Sequence, residues 1–315
     1  MVKVQPNLKL SNRQLLGKRI LRHWELYLFL VPAIVYILIM CYGPMYGVLI
    51  AFQDYKPRLG MAGSDWVGLK HFKRLFEMAN FGRYMKNTLL LSFYSLLAGF
   101  PLPIIFALAM NSSRHRKLTK VVQTAAYAPH FISLVVLVSM INVIFAPTTG
   151  IVSGVLNKLG IIDGALNTLM TADAFPHLYV WSGVWQSLGW DSIIYMGALS
   201  SVDDSLHEAA LIDGATKWQR IVHIDIAMIL PTIVVMLILR SGSILSVGFE
   251  KAFLMQNDLN LARSEIISTY TYKMGISQGQ YSFSSALGLF NSVINFAMVM
   301  LVNFISRKVT ETSLW

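Results

Sequence analysis

The chain has 315 residues, of which 55% are hydrophobic and only 13% are charged, and its mean hydropathy is +0.55. Soluble domains carry about 25% charged residues, so this composition excludes an ordinary soluble globule. The net charge of +10 would suit nucleic acid, but the Lys and Arg residues stand in the first 22 positions and between apolar runs, as they do beside membrane spans. The sequence therefore predicts contact with membrane lipid and no nucleic-acid partner.

Six long apolar runs are the predicted structural elements. A membrane-spanning helix needs about 20 mostly apolar residues. The runs that meet this length cover residues 26–52, 87–110, 121–147, 177–199, 226–249 and 283–305. The first run is too long for a cleaved signal peptide, so we expect it to be retained. The sequence thus predicts an all-α integral membrane domain of six transmembrane helices over residues 26–305.

Basic residues near the span ends predict the orientation. Lys and Arg cluster in residues 1–25, in the link 111–120 after span two, and after span six at Arg307 and Lys308. With six spans these regions share one side, which the positive-inside rule makes the cytoplasm. We therefore expect both termini, including the tail 306–315, to be cytoplasmic. The basic N-terminal segment either lies at the lipid surface or binds a partner.

The first loop, residues 53–86, would then be external and opposes this rule. It carries seven cations, Lys56, Arg58, Lys70, Lys73, Arg74, Arg83 and Lys86, against three acids, Asp54, Asp65 and Glu77. Such a loop would attract an acidic partner protein or an anionic solute, and salt would weaken the attraction because the screening length is about 8 Å near 0.15 M ionic strength. The alternative is a solvated flank that covers span ends.

The polar stretch between spans four and five predicts a helical hairpin on the cytoplasmic side. Ser205 and Glu208 have the spacing of a capping box at a helix start, and Thr216 and Gln219 repeat that spacing. Gly214 between them suits a tight turn, because glycine accepts a positive φ. Two capped helices joined by such a turn would keep their shape in water.

The motifs of a catalytic site are missing from the sequence. It has no GxxxxGK[ST] phosphate loop, no GxSxG motif and no His, Cys and carboxylate cluster with metal spacing. We therefore predict no catalytic residue, no metal and no cofactor in this chain, and a transport subunit whose energy source lies elsewhere. The alternatives are an ion-coupled secondary transporter, which needs an intramembrane ion site, and an integral-membrane enzyme acting on saccharides, which needs an acid–base pair.

The stretch "EAALIDGATKWQRIVHI" closely resembles the EAA signature of binding-protein-dependent ABC importer permeases. Four further stretches resemble the oligosaccharide and polysaccharide branch of that family: "GWDSIIYMGALSSVD", "LILRSGSILSVGFEKAFLMQN", "GQYSFSSALGLFNSVINF" and "SRKVTETSLW". The resemblance covers nearly the whole chain, most strongly residues 84–315. One departure is that the family motif continues Ile-x-Leu-Pro, whereas this chain has Ile224-Asp225-Ile226-Ala227 and no proline before Pro231.

The resemblance implies the fold of a type I ABC importer permease. It implies a core permease domain at about 84–305 and a cytoplasmic coupling helix in the loop 203–226, between spans four and five. It also implies that this loop docks on an ATPase subunit through the residues that match the signature. These are Glu208, Ala209, Ala210, Asp213, Gly214 and Ala215.

The same resemblance implies the partners and the substrate class. A second permease subunit, identical or homologous, would complete the pathway, and two ATPase subunits would carry the ATP and Mg. An extracytoplasmic solute-binding protein would deliver an oligosaccharide or polysaccharide at the bacterial inner membrane. An anionic uronate such as alginate belongs to that substrate class.

Two intramembrane charges are candidates for the translocation pathway. Asp191 in span four and Arg240 in span five lie near mid-membrane by position, where charges usually face a cavity or each other. They are either a structural pair, ligands for the saccharide, or side chains that reach the lipid edge. The sequence leaves these readings open.

Two polar pairs are further pathway candidates. Gln186 and Trp190 are i, i+4 on one helical face, where an amide and an indole can bind a sugar ring; a packing or interfacial tryptophan is the alternative. Asn291 and Asn295 have the same spacing in span six. They would line the pathway or join helices through hydrogen bonds.

Overall fold

The structure is a computed structural model that describes residues 24–165, 171–246 and 248–310. The described chain is helical apart from one two-stranded sheet and the connections, as the sequence predicts. Most of the N-terminal segment 1–25 and half of the tail 306–315 lie outside the described residues. The expectations for those two segments therefore stay predictions.

The first predicted span is helical throughout, but its hydrogen-bond pattern changes along its length. It contains α1 (Trp24–Tyr36), a π-helical turn (Ile37–Tyr42), α2 (Gly43–Met45) and a 3₁₀ helix (Tyr46–Phe52). Pro44 has no backbone N–H to donate, so one hydrogen bond of the helical ladder is missing at that position. The apolar side chains of α1 are exposed on the chain's surface, as they would be if lipid or another subunit covered them.

The first loop holds a small sheet and an amphipathic helix. β1 (Gln53–Asp54) pairs antiparallel with β2 (Asp65–Trp66). The next element is α3 (Lys70–Glu77), in which His71 and Leu75 are buried. The buried face of α3 packs against the last helix of the chain.

The second span consists of two joined helices. They are α4 (Phe81–Gly99) and α5 (Pro101–Asn111), and together they form a candidate span of 31 residues. Pro101 and Pro103 occupy the first turn of α5, where a missing N–H does not interrupt the helical ladder.

The third predicted span, 121–147, is not one straight helix. It is divided into α6 (Arg116–Tyr127), a 3₁₀ turn (Ala128–Phe131) and α7 (Leu134–Ile144), with a bend of 100°. Pro129 lies in the 3₁₀ turn, and Ile132 and Ser133 have extended backbones. The Ser133 hydroxyl then accepts a hydrogen bond from the N–H of Val136 at 3.4 Å and caps α7. A proline and a new N-cap close together therefore break the span.

The fourth span is the central helix of the described fold. After α8 (Ile151–Lys158), α9 runs from Ala174 to Leu199 and packs against α4, α5 and α6. Gly189 of α9 lies so close to the backbone of Ala126 in α6 that a Cβ there would clash. The small residue therefore permits close helix packing of the kind found between membrane helices.

The remaining elements lead from the hairpin to the end of the chain. They are α10 (Asp204–Ile212), α11 (Lys217–Arg220), a π-helical turn (Ile221–Asp225), α12 (Ile226–Ser241), α13 (Phe249–Met255), α14 (Leu261–Ser264), α15 (Ile267–Tyr272), a second π-helical turn (Lys273–Ser277) and α16 (Tyr281–Thr310). α12 packs against both α9 and α16. α12 therefore connects the central helix to the last helix of the chain.

The six predicted spans are not all recovered by length and composition. Within the described ranges, four stretches qualify: Trp24–Phe52, Phe81–Asn111, Lys217–Ser241 and Tyr281–Lys308. The bent third span would make five. α9 has 26 residues, which is enough to cross a membrane, but it contains His177, Gln186 and Asp191. α9 packs against α4, α5 and α6, and its Gln186 and Asp191 are partly buried there.

Three clusters of buried apolar side chains connect these helices. One joins α4, α7, α9 and α13, and includes Leu91, Val138 and Val180. A second lies under the first loop around Leu75 and Phe283. The third joins α5, α9 and α12 next to the hairpin. The first loop is thus fixed to the bundle by an apolar cluster.

Candidate functional site

The hairpin between α9 and α12 starts with a capped helix. The Asp203 carboxylate accepts a hydrogen bond from the backbone N–H of Ser205 at 2.9 Å, and this bond holds the pKa of Asp203 below its usual value. The predicted capping box of Ser205 and Glu208 is therefore wrong. Because α10 begins at Asp204, Ser205 already lies in the first turn, where its N–H needs an acceptor.

The turn and the second cap of the hairpin are confirmed. Gly214 has φ of +79°, and its N–H bonds to the carbonyl of Leu211 at 3.1 Å, while that of Ala215 bonds to Ala210 at 2.9 Å. This pair of bonds is a Schellman motif, which satisfies the last carbonyls of α10. Thr216 and Gln219 form the predicted capping box at the start of α11. The turn and the second cap are therefore satisfied by hydrogen bonds within the hairpin itself.

The hairpin also exposes large apolar side chains. Ile212 is 87% exposed and Trp218 is 71% exposed, and both lie beside the residues of the EAA signature. Of that signature, Glu208, Ala209, Asp213 and Gly214 are exposed, and Ala210 and Ala215 are partly buried. Sequence reasoning missed Ile212 and Trp218. The signal that could have found them is a bulky apolar residue in an otherwise water-facing stretch, which is typical of a protein contact.

A contact between His207 and Asp225 joins α10 to the turn that leads into α12. The Nε2 atom of His207 lies 3.3 Å from Oδ1 of Asp225, and Asp225 is only 3% exposed. Both side chains line a cavity of about 400 Å³ that Arg114 and Arg220 also border. Asp225 stands at the variable position of the Ile-x-Leu-Pro continuation, and its contact with His207 joins α10 to the helix that follows.

Asp191 and Arg240 form an ion pair between α9 and α12. The Arg240 guanidinium also donates a hydrogen bond of 3.4 Å to the carbonyl of Gly99. Both side chains are largely buried. Of the readings that the sequence leaves open, the structure favours a pair.

Arg240 also borders a small cavity that serines and apolar side chains line together. The cavity has a volume of about 210 Å³, and Ser92, Ser95 and Ser243 line it with Arg240. The hydroxyl of Ser95 is buried and has no hydrogen-bond partner among the described residues. The guanidinium is therefore shared between a carboxylate and a space lined by hydroxyl groups. The sequence did not indicate these serines, because serine is common in membrane helices.

Gln186 and Trp190 both contact the bend of the third span. The Gln186 amide donates a hydrogen bond to the carbonyl of Ile132 at 2.8 Å. The Trp190 indole stacks on His130 with ring centroids 4.3 Å apart, and Trp190 remains 45% exposed. One face of the indole is therefore occupied by His130, which leaves at most the other face for a ligand.

Asn291 and Asn295 do not act together. Asn295 accepts a hydrogen bond from the N–H of Leu245 and donates one to Ser246, each at 2.9 Å. The carbonyl oxygen of Asn291 is buried and has no partner among the described residues. Asn295 thus joins α16 to the end of the fifth span. In the part of the chain that the structure describes, no group of three His, Cys, Asp or Glu residues is placed to hold a metal.

Comparison with known proteins places this geometry in a family. Residues 99–311 match the family described as "Binding-protein-dependent transport system inner membrane component". The chain is 42% identical to Protein LplB of Bacillus subtilis (strain 168) over 290 residues, which covers 92% of this chain and 91% of LplB. It is 40% identical over 309 residues to the polygalacturonan/rhamnogalacturonan transport system permease protein YteP of the same organism, which covers 98% of this chain and 95% of YteP.

A solved structure is similar over the same extent. A chain in the crystal structure of a bacterial alginate ABC transporter, in complex with an alginate pentasaccharide-bound periplasmic protein, superimposes with a TM-score of 0.86. The two chains are 39% identical, and the match covers 94% of this chain and 99% of the other.

Proposed function

The chain belongs to the family of binding-protein-dependent transport system inner membrane components, and we propose that it is the permease subunit of an ATP-driven importer of acidic oligosaccharides or polysaccharides. Members of this family are transport subunits and not enzymes. The observation that carries the proposal is the similarity to YteP, which extends over 98% of this chain. It favours the importer over a secondary transporter or a membrane enzyme.

Acidic saccharides are the proposed substrate class because two relatives are named for such a substrate. The permease YteP is named for polygalacturonan and rhamnogalacturonan, and the structural relative is an alginate transporter. The excess of cations in the first loop supports the same class. Uronate units carry carboxylates that Lys and Arg attract.

The hairpin is the proposed contact with a separate ATPase subunit, which would hold the ATP and Mg. Its rigid turn at Gly214 and its exposed Ile212 and Trp218 support this role. A rigid element that is anchored to α12 through Asp225 can transmit motion into the membrane domain. We assign the docking surface to the six signature residues together with Ile212 and Trp218.

The proposed pathway passes the Asp191–Arg240 pair and the serine-lined cavity beside it. A saccharide presents hydroxyl groups, which the hydroxyls of Ser95 and Ser243 can bind. Trp190 contributes its free indole face, and Gln186 and Asn295 position the bend and α16. A second permease subunit, identical or homologous, would form the other wall.

The orientation and the remaining partners belong to the same proposal. The chain lies in the bacterial inner membrane with both termini and the hairpin in the cytoplasm, in accordance with the Lys and Arg distribution. An extracytoplasmic solute-binding protein then meets the first loop. The segments are a cytoplasmic 1–25, a membrane domain 26–305 and a cytoplasmic tail 306–315.

Copurification and reconstituted uptake test the proposal. The tagged chain, solubilised in detergent, should bring down an ATPase subunit and a second permease. The complex in liposomes should then take up a labelled oligouronate only when ATP and the binding protein are both supplied. Omission of ATP is the control. Uptake driven by an ion gradient without ATP, or a chain that purifies without an ATPase, would refute the importer assignment.

A further inference from the structure

A crevice lies between the first loop and the start of α16. It consists of two adjoining cavities of about 750 and 320 Å³, which share Asp54, His71 and Arg74 in their walls. Residues of β1 and α3 form one side, and Gly279 to Phe283 form the other. Ligand pockets commonly have volumes of about 300–1,000 Å³, so the space suits one or two sugar units. We name it the Arg74 crevice.

The charge of the Arg74 crevice is positive, because four cations line it against two acids: Lys56, Lys70, Lys73 and Arg74 against Asp54 and Glu77. Lys70 bonds to the Asp54 carboxylate at 2.6 Å and lowers the pKa of Asp54, so that this acid is already satisfied. Lys56 pairs with Asp65 at 3.1 Å. Arg74 has no carboxylate within 4.0 Å among the described residues. Its guanidinium is thus available for an anion from outside the chain.

Packing holds the Arg74 guanidinium in place. Its Cζ atom lies 4.5 Å from the ring centroid of Phe283, which is 1% exposed and belongs to the apolar cluster under the loop. A guanidinium over an aromatic ring has lost part of its freedom before it meets an anion. It can then donate two parallel hydrogen bonds to one carboxylate at a smaller entropic cost.

Groups that suit a sugar lie beside this cation. The Tyr55 and Tyr281 rings meet edge to face at 6.2 Å, and Tyr281 is 40% exposed. The Nε2 atom of His71 lies 3.1 Å from Oδ1 of Asp54 and 3.2 Å from the carbonyl oxygen of Gln53, so Nε2 is the donor toward these oxygens and Nδ1 is left for another partner. That Nδ1, and Oε1 of Gln280, are buried without a partner among the described residues. Buried polar atoms are normally satisfied, so the crevice has unused hydrogen-bonding capacity.

We infer that the Arg74 crevice binds a uronate unit of an acidic saccharide, with Arg74 as the ligand of the carboxylate. The inference rests on the proposed function, which supplies the saccharide and places the crevice on the external side. A concave site with aromatic rings and unsatisfied polar atoms fits a sugar better than the broad surface of about 800 Å² per partner that a protein contact buries. An acidic face of the binding protein is therefore the competing occupant.

Equilibrium binding tests the inference without transport. The detergent-solubilised complex, without ATP and without binding protein, is titrated with a fluorescently labelled short oligogalacturonate and with its carboxyl-reduced, neutral counterpart. We expect the acidic probe to bind more tightly than the neutral one. Arg74→Gln should lower the affinity for the acidic probe by about tenfold or more, because a charge-assisted hydrogen bond is lost. The affinity for the neutral probe should stay unchanged.

Arg58→Gln is the matched control, because it removes an equal charge from the same loop at a residue that does not line the crevice. It should leave both affinities unchanged, and Arg74→Lys should restore part of the preference for the acidic probe. If Arg58→Gln and Arg74→Gln lose the same affinity for the acidic probe, the inference is overturned. It is also overturned if the wild-type complex binds neither probe, even if ATP-driven uptake succeeds. An Arg74→Gln defect that appears only in uptake with the binding protein, and equally for both probes, would overturn it in favour of protein docking.

Discussion

The pairing of Asp191 with Arg240 answers a question that the sequence leaves open. A single charge buried inside a membrane domain would cost free energy. Here each of the two side chains is paired with the opposite charge of the other. The residues are 49 positions apart, so no local pattern connects them. The serine-lined cavity beside Arg240 leaves room for a role in the pathway as well.

We predict that the two charges are energetically coupled. Asp191→Asn or Arg240→Gln alone should reduce the amount of assembled complex, because each leaves an uncompensated charge at a cost of about 3–5 kcal/mol. The double variant should lose less than the sum of the single losses. Immunoblots of membranes and reconstituted uptake measure the two effects. Strictly additive losses would show that the two residues act separately.

Lys251 gives a pH-dependent prediction at the same scale. It lies in α13, is 5% exposed, and donates a hydrogen bond to the carbonyl of Tyr179 at 2.7 Å. Burial lowers the pKa of Lys251 to about 8, from its ordinary 10.5. Below pH 8 the ammonium is charged in both the folded and the unfolded chain, and its burial is unfavourable. Between pH 8 and 10.5 only the unfolded chain keeps the proton, so folded stability rises with pH.

The expected gain over this range is roughly 3 kcal/mol. Thermal unfolding of the detergent-solubilised chain at pH 7 to 10 measures it, and Lys251→Met, which has a side chain of similar length, is the comparison. The wild-type Tm should rise relative to that of Lys251→Met as pH increases from 8. Parallel curves would mean that the lysine is not buried as a charge.

The hairpin is the element on which the coupling assignment depends. Gly214 has open space around the position of a Cβ, so a substitution there is strained only by its φ of +79°. Gly214→Val should therefore insert in the membrane at a normal level but lose ATPase association or ATP-driven uptake, since a β-branched residue disfavours positive φ. Gly160→Val is the control, because Gly160 also has open space and a positive φ, of +67°. If Gly214→Val takes up sugar at the wild-type rate, the assignment of the hairpin as the ATPase-coupling element loses its main support.

The His207–Asp225 pair connects the hairpin to α12. Asp225→Asn keeps the shape but removes the charge, so α10 should be held less firmly against the helix that follows. We expect the ATPase to copurify normally while the number of sugars imported per ATP hydrolysed falls. His207→Gln should give the same defect, and the double variant should be no worse than either single one. Unchanged stoichiometry in both single variants would exclude this role.

The break in the third span shows why helix boundaries are hard to predict from local sequence. The sequence predicts one helix over 121–147, but Pro129 and the cap at Ser133 divide it. Each signal alone is tolerated inside membrane helices, and the bend is stable because Gln186 and Trp190 of α9 contact it. Those contacts come from a distant part of the chain. A local pattern could therefore not decide between a kink and a break.

The orientation is a property of the whole molecule. We predict that the link 111–120 is cytoplasmic, because it is basic and lacks acids. In a Cys41→Ser background, an introduced Ser113→Cys should stay unlabelled by a membrane-impermeant thiol reagent in intact cells and become labelled after permeabilisation. Arg58→Cys, in the first loop, is the positive control. Strong labelling of Ser113→Cys in intact cells would invert the topology.

The sequence by itself determined the class of the protein and its local motifs. An apolar composition requires a membrane, the turn at Gly214 and the capping box of Thr216 with Gln219 need only neighbouring residues, and the EAA signature is a continuous stretch. All of these depend on contacts within a few positions, so a linear pattern contains them. The true N-cap at Asp203 shows the limit, since adjacent polar residues compete for the same role.

Only the tertiary structure decided the contacts between distant segments. It paired Asp191 with Arg240, tied His207 to Asp225, and brought Arg74 onto Phe283 across 209 positions of chain. It also packed α9 against α4, α5, α6 and α12. The physical reason is the same in each case. The free energy of a buried charge or polar group depends on what packs against it, and that neighbour is set by the fold rather than by the adjacent sequence.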